Sequence, residues 1–185
     1  GMTALALLLT ARQLGVDGYG QYAASVALTA MTAIVFSLGL DLWLLREGGR
    51  DPHQLAKNAG SVLGTKALLG LAWILGFMVI SPYLKQETYP LPLIRWSVFL
   101  IWSDTLLATT LTAFKAALKN KAPAMLEAGA DIVWCLLTVG FIGLGVTAPA
   151  IYLMIRVLIS VVALLIGLSL LRGMIGLRFD FNLAR

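Results

Sequence analysis

Three ionisable residues lie deep within long apolar runs of this sequence, and they are its strongest candidates for chemistry. Asp104, Asp131 and Arg156 each stand in a stretch that carries almost no other charge. A charged side chain at such a position costs about 3 kcal/mol unless it faces a partner, water or a ligand. The three residues therefore predict either a polar cleft that contacts a charged group or a structural ion pair that fixes helix packing.

Helical rise places these residues relative to one another. Asp104 lies about 18 Å and Asp131 about 21 Å from the same side of the predicted bundle, which puts both near the midplane. Arg156 lies about 10 Å from that side. We expect an extended Arg156 to reach Asp104, and Asp131 less easily.

Further candidates lie near the ends of the predicted helices. Arg12 either snorkels to an interface or lines the cleft. Asp41 lies close to the charged segment 46–50, for which a solvated turn is the preferred interpretation and a coupling site the alternative. Lys66 stands near a helix end, where it either snorkels or lines a cleft.

The elements that must position these residues are five long apolar runs. Each run is long enough to cross a bilayer core of about 30 Å as a helix. Charged residues make up only 12% of the chain and the mean hydropathy is +0.89, whereas soluble domains carry about 25% charged residues. The sequence therefore predicts an all-α, polytopic transmembrane helix bundle rather than a soluble one. The runs are 20–45, 59–82, 91–114, 122–146 and 148–171.

The first residues form a shorter apolar segment, 2–14, which spans only about 20 Å as a helix. We interpret it as the outer end of a first helix whose beginning is missing; a short terminus lying in the interface is the alternative. Three glycines within 15–20 predict a tight outer turn after it. The prediction is thus one helical lobe over residues 1–185, with five full spans and a truncated first helix.

The basic residues alternate between the two sides of this bundle. Only Arg12, Lys85 and Arg95 fall on one side, and Arg156 lies inside a span. Because cytoplasmic connectors are enriched in Lys and Arg, the bias predicts a multi-pass protein of the inner (plasma) membrane, and the net charge of +5 does not indicate nucleic acid. The ten residues of the basic side are Arg46, Arg50, Lys57, Lys66, Lys115, Lys119, Lys121, Arg172, Arg178 and Arg185.

Motifs of enzymes are absent from the sequence, which contains no phosphate-binding loop, no Gly-x-Ser-x-Gly and no His-Glu-x-x-His. With a single histidine and a single cysteine, the chain also offers no Cys/His metal set. We therefore predict no enzymatic activity, no catalytic residue, no metal and no cofactor.

Two short blocks resemble a known family. Ala11-Arg12-x-Leu14-Gly15-x-x-x-Tyr19-Gly20-x-Tyr22 resembles the first helix-turn-helix of the polysaccharide biosynthesis (oligosaccharide flippase) family. Gly39-Leu40-Asp41, followed by Arg46-Glu47-x-x-Arg50-Asp51, is similar to the exit of that family's second helix. Beyond Asp51 the resemblance is one of topology.

The resemblance implies a function and its residues. It implies an N-terminal lobe that lacks a C-terminal lobe and belongs to a transporter of undecaprenyl-pyrophosphate-linked sugars working by alternating access. Arg12 and Arg156 would contact the anionic head group, and Asp104 would orient Arg156 or respond to a coupling cation. Asp131 and Asp41 are further candidates for coupling. The expected partners are membrane lipid, the lipid-linked sugar and the missing lobe.

Three alternative functions remain open at this point. A cation-coupled multidrug exporter of the same superfamily would suit Asp104 together with Asp131. A membrane-embedded transferase of lipid-linked sugars would need acids or histidines clustered in one aqueous turn, and the turns here are mainly basic. A non-catalytic membrane scaffold is the third.

Overall fold

The computed structural model describes residues 2–37, 39–51, 53–84 and 87–175. No strand occurs in these ranges, which confirms the predicted all-α fold. Lys85 and the end of the basic tail, with Arg178 and Arg185, lie outside the described residues. The helices are α1 (Met2–Ser37), α2 (Leu40–Arg50), α3 (Leu55–Ile80), α4 (Leu91–Ala116), α5 (Lys121–Gly143) and α6 (Pro149–Ile175), with a short 3-10 turn at Ser81–Tyr83.

Within the described ranges, four segments are long and apolar enough to cross a bilayer, and they indicate a membrane protein. They are Leu55–Tyr83, Leu91–Ala116, Lys121–Gly143 and Pro149–Gly173. The fifth predicted run, 20–45, is not among them; it includes residue 38, which lies outside the described residues, and it is divided between α1 and α2. Four of the five predicted runs thus correspond to helices that could span a membrane by their length and composition.

The helix α1 is broken at Gly15, where φ is 69° and ψ is −177°. Before the break, Ala6 packs against Trp134 in the middle of α5, and the side-chain amide of Gln13 donates to the carbonyl oxygen of Val146 beyond the end of α5 (3.4 Å). The first part of α1 therefore runs beside α5 in the same direction.

Beyond Gly15 the chain returns along α4. Gln21 donates to the carbonyl oxygen of Glu87, just before α4 (3.0 Å). One turn later, the hydroxyl of Ser97 donates to the carbonyl oxygen of Ser25 (3.3 Å). The reversal thus lies where the sequence predicts a turn, but it uses one glycine of the segment 15–20, since the residues that follow are already helical.

A second glycine separates α1 from α2. Gly39 adopts a left-handed conformation with φ 69° and ψ 8°, which a glycine enters without steric cost. The helix α2 then packs against α3 and α4. Gly48 allows the approach, because a Cβ atom there would lie 2.5 Å from a methyl group of Leu55 and 3.0 Å from Cβ of Ala116.

The helix α4 forms the centre of the bundle, because it packs against α1, α2, α3 and α6. One apolar cluster, which includes Leu44, Leu55, Phe114 and Leu171, joins α2, α3, α4 and α6 at one end. Many large apolar side chains remain exposed on the outside of the bundle, as lipid-facing side chains of a membrane protein would. They include Leu68, Leu75, Val79, Leu136, Val139, Leu158 and Leu165.

The same cluster shows which connectors share an end of the bundle. The α2–α3 connector, the α4–α5 connector and the end of α6 meet there. The Gly15 break and the connectors before α4 and α6 lie at the other end. The alternating arrangement therefore brings together the exposed basic residues Arg46, Arg50, Lys57, Lys115, Lys119, Lys121 and Arg172.

Candidate functional site

A polar cavity of about 240 Å³ lies between α4, α5 and α6. It contains three of the residues singled out from the sequence: Asp104 from α4, Asp131 from α5 and Arg156 from α6. The remaining lining residues are Leu107, Glu127, Ala130, Trp134, Ile159 and Ser160. We call this site the polar cavity.

Asp104 is held by a hydrogen bond across the α4–α6 interface. The hydroxyl of Ser160 donates to Oδ1 of Asp104 at 2.6 Å. Ser160 itself is buried, so the bond forms where water has little access, and hydrogen bonds to carboxylates are among the strong ones. Asp104 thereby acquires a defined orientation toward α6.

Arg156 lies over the ring of Trp134, with Cζ 4.7 Å from the ring centroid. This distance is typical of a cation–π contact. The predicted ion pair does not form: Arg156 and Asp104, both within the described ranges, share no contact within 4.0 Å. Ser160, one turn beyond Arg156 on the same helix, occupies the position next to Asp104.

The polar cavity also receives Glu127 and Asp131 from α5. Glu127 is half exposed, and one of its oxygens lies 3.9 Å from Nζ of Lys115, which is also half exposed. Such an open pair contributes little to stability. The structure brings Asp104 and Asp131, which the sequence predicts at one level, to the same cavity.

One buried donor near Arg156, Nε1 of Trp134, lacks a hydrogen-bond partner within the described part of the chain. Trp134 is 4% exposed and lines the polar cavity, and the hydroxyl of Tyr22, a residue that is 3% exposed, lies close to Arg156. An unpaired buried donor is unfavourable by about 1–3 kcal/mol.

An apolar groove of about 330 Å³ runs beside the polar cavity, between α5 and α6. Ala130 and Ile159 line both spaces, so the two are neighbours. The other lining residues are Met125, Leu126, Gly129, Val133, Leu137, Leu158, Val162, Ala163 and Ile166. We call this surface the apolar groove.

Arg12, the other predicted contact for a head group, is not brought to the polar cavity. Its side chain is exposed on the first part of α1, and it is not among the residues that line the cavity. The structure therefore separates the two arginines that the family resemblance combines.

A second polar cluster joins α2, α3 and α4. Nζ of Lys66 lies 2.7 Å from Oδ2 of Asp41 and donates to the hydroxyl of Thr109 at 3.0 Å. The Thr109 hydroxyl donates to Oδ1 of Asp41 at 2.7 Å. Lys66 is completely buried, whereas the side chain of Asp41 is 34% exposed.

This cluster corrects two interpretations from the sequence. Asp41 does not form a solvated turn with the charged segment 46–50, and Lys66 neither snorkels nor lines the polar cavity. The sequence marks both residues as unusual, since each is ionisable and lies in apolar surroundings. It does not reveal that they pair with each other. No group of three or more His, Cys, Asp and Glu side chains in the described ranges is placed to hold a metal ion.

Comparisons of this chain with protein-family models, curated proteins and solved structures find no match. The fold and the site define the class of this protein. It is a helical bundle in which four helices could span a membrane, and it holds a polar cavity beside an apolar groove.

Proposed function

We propose that this chain takes part in the translocation of a lipid-linked oligosaccharide across the inner membrane, as one lobe of a larger transporter. The main support for the proposal is that the polar cavity and the apolar groove lie side by side and share Ala130 and Ile159 in their linings. A ligand with a polar head and a long apolar chain would place its head in the cavity and its chain along the groove.

The groove and the cavity suit the two parts of such a ligand. The groove is lined by apolar side chains and glycine and would take the isoprenoid chain beside the membrane lipid. The cavity would take the head, contacted by Arg156 and Asp104. In the transport cycle, exchange between two arrangements of the lobes would carry the head across, and the ligand would shift their populations.

The finer topology belongs to this proposal. The second part of α1 together with α2 would form a fifth crossing segment. The basic end would face the cytoplasm, in keeping with the usual enrichment of Lys and Arg there. Arg12 would attract the head group at the opposite surface, and a C-terminal lobe would supply the other wall of the cleft.

One observation favours a second candidate, a cation-coupled multidrug exporter. The carboxyl groups of three residues, Asp104, Glu127 and Asp131, line the polar cavity. A lining that contains several acids would suit an organic cation. In either function Asp131 and Asp41 would be the groups that respond to a coupling ion.

The experiment is photo-crosslinking with a polyprenyl-pyrophosphate-linked sugar that carries a diazirine in its isoprenoid chain. Gly129→Phe fills the apolar groove, because Gly129 lines it and has free space around its Cα. Gly140→Phe is the matched control, since Gly140 lies on the same helix, is exposed with free space around it, and does not line the groove.

We expect Gly129→Phe to reduce labelling at least about tenfold, which corresponds to about 1.4 kcal/mol. Labelling of Gly140→Phe should equal that of the unmodified chain. Unchanged labelling of Gly129→Phe, with the variant intact in the membrane, contradicts the proposal. If an organic cation competes with the probe and reduces its labelling more strongly than the unlabelled lipid-linked sugar does, the result would favour the exporter.

A further inference from the structure

A second groove lies at the end of the bundle opposite to the basic connectors, between the end of α3 and the start of α4. Its volume is about 450 Å³, within the range of about 300–1,000 Å³ that is typical of ligand sites. We call it the α3–α4 groove. The residues that line it are Met78 from α3 and Leu91, Pro92, Arg95, Trp96 and Phe99 from α4.

Arg95 supplies the charge of this groove. It is exposed, and it makes no hydrogen bond or ion pair within the described part of the chain. Among the described residues no acid lines the groove. Glu87, the acid that precedes α4, is exposed but does not lie within ion-pair distance of Arg95. The described lining therefore offers one guanidinium for which the protein supplies no carboxylate.

The apolar part of the groove lies deeper along α4 than its charge. Arg95 is about 6 Å and Phe99 about 12 Å along the helix from Leu91, where α4 begins. The exposed ring of Phe99 lies 6.5 Å from the half-buried ring of Trp96, centroid to centroid, and tryptophan is enriched where a membrane meets water. A cation near the helix end with apolar side chains below it has the same order as the head and chains of a membrane lipid.

The charge of the groove selects among membrane lipids. A guanidinium donates paired hydrogen bonds to phosphate oxygens. A zwitterionic head group would also bring an ammonium group, for which no carboxylate lines the groove in the described ranges. We propose that the α3–α4 groove binds an anionic phospholipid of the bilayer, with its phosphate on Arg95 and an acyl chain along Phe99 and Met78.

This inference goes beyond the proposed function, because it assigns a site to a lipid of the bilayer rather than to a transported one. It requires that the helices cross a membrane, but not that the chain moves a lipid-linked sugar. The two sites are also on different helices, since the polar cavity and the apolar groove involve α5 and α6. Failure of the Gly129→Phe experiment would therefore leave the α3–α4 groove untouched.

The test uses two photolipids that differ only in the head group. Phosphatidylglycerol or phosphatidylcholine with a diazirine in one acyl chain is added in trace amount to the full chain in phosphatidylcholine nanodiscs. Mass spectrometry compares labelling of the groove residues with labelling of Leu136 and Val139, which are exposed on the second half of α5 and do not line the groove. We expect this ratio to be at least about fivefold higher for phosphatidylglycerol, a difference of about 1 kcal/mol.

Two arginine variants locate the head group. Arg95→Gln removes the charge of an exposed side chain, so the bundle should stay folded and the ratio for phosphatidylglycerol should fall about fivefold, to that of phosphatidylcholine. Arg12→Gln is the matched control, because Arg12 is exposed near the same end of the bundle but does not line the groove. Its ratio should equal that of the unmodified chain. Equal ratios for the two variants would overturn the inference.

Other occupants of the groove would give different results. If both photolipids label the groove less than they label Leu136 and Val139, a second copy of the chain or another protein covers the groove, and the inference is wrong. If both label the groove equally well, the groove accepts lipid without selecting its head group, which also overturns the inference. If neither photolipid labels the chain anywhere, the helices do not cross the membrane and the inference fails with that account.

Discussion

Nζ of Lys66 and Oδ2 of Asp41 lie 2.7 Å apart and join α3 to α2. The two partners differ in their surroundings, because Lys66 is completely buried and Asp41 keeps about a third of its side chain exposed. Thr109 from α4 bridges them by accepting from Lys66 and donating to Asp41. The position of α2 after the Gly39 break therefore depends on this cluster.

The difference in burial predicts unequal effects for the two partners. Asp41→Asn leaves the Lys66 charge buried without a carboxylate and should lower the free energy of unfolding by about 3 kcal/mol. Lys66→Met removes the buried charge, and the exposed side of Asp41 can hydrate, so a loss of about 1 kcal/mol is expected. Unfolding followed by circular dichroism in nanodiscs measures both.

The double variant Asp41→Asn/Lys66→Met provides the check on this reasoning. It should be more stable than Asp41→Asn alone, because no unpaired charge remains buried. Lys115→Met, which breaks the open pair with Glu127, serves as the control and should change the free energy of unfolding by less than about 1 kcal/mol. Equal losses for Asp41→Asn and Lys66→Met would show that the burial of Lys66 does not control the pair.

The hydrogen bond from Ser160 to Asp104 predicts a second effect on stability. Ser160→Ala removes the 2.6 Å donor and leaves a carboxyl group between α4 and α6 with one partner fewer, at a cost of about 1–3 kcal/mol. Ser169→Ala is the control, since Ser169 is exposed on the same helix and donates only within that helix, to Ile166. Equal unfolding temperatures for the two variants would show that the hydrogen bond of Ser160 does not stabilise the interface between α4 and α6.

The break at Gly15 predicts a third effect. Its φ of 69° with ψ of −177° belongs to a region that only glycine occupies readily. Gly15→Ala should therefore lower the free energy of unfolding by about 2 kcal/mol, although nothing lies within 4 Å of the added methyl group. Gly20→Ala, also without close neighbours but with helical backbone, should be neutral or slightly stabilising. If Gly15→Ala left the free energy of unfolding unchanged, the chain would not reverse its direction at Gly15.

The four apolar helices could be predicted from the sequence because a helix that crosses a bilayer needs a long, uninterrupted apolar run. The predicted runs 59–82, 91–114, 122–146 and 148–171 differ from α3, α4, α5 and α6 by only a few residues at each end. The length of each apolar run predicts that a helix forms there, and turn residues such as Pro90 and Pro149 predict where the helices begin.

The pairing of side chains could not be predicted in the same way. Helical rise gives the depth of Asp104, Asp131 and Arg156, and all three do reach one cavity. It does not give the rotation of α6, which places Ser160 beside Asp104 and Arg156 over Trp134. Likewise, Asp41 meets Lys66 only because the left-handed Gly39 redirects the chain into α2.

We propose that these helices cross a membrane with their basic connectors on the cytoplasmic side. Cysteine labelling tests it in a background in which the buried Cys135, the single cysteine of the sequence, is replaced by alanine. Lys119→Cys lies at the basic end and Glu87→Cys at the opposite end, and both positions are exposed. A membrane-impermeant maleimide applied to intact cells should label Glu87→Cys, and should label Lys119→Cys only after the inner membrane is opened. Labelling of both from the same side, or a protein that stays dissolved without detergent, would contradict the account.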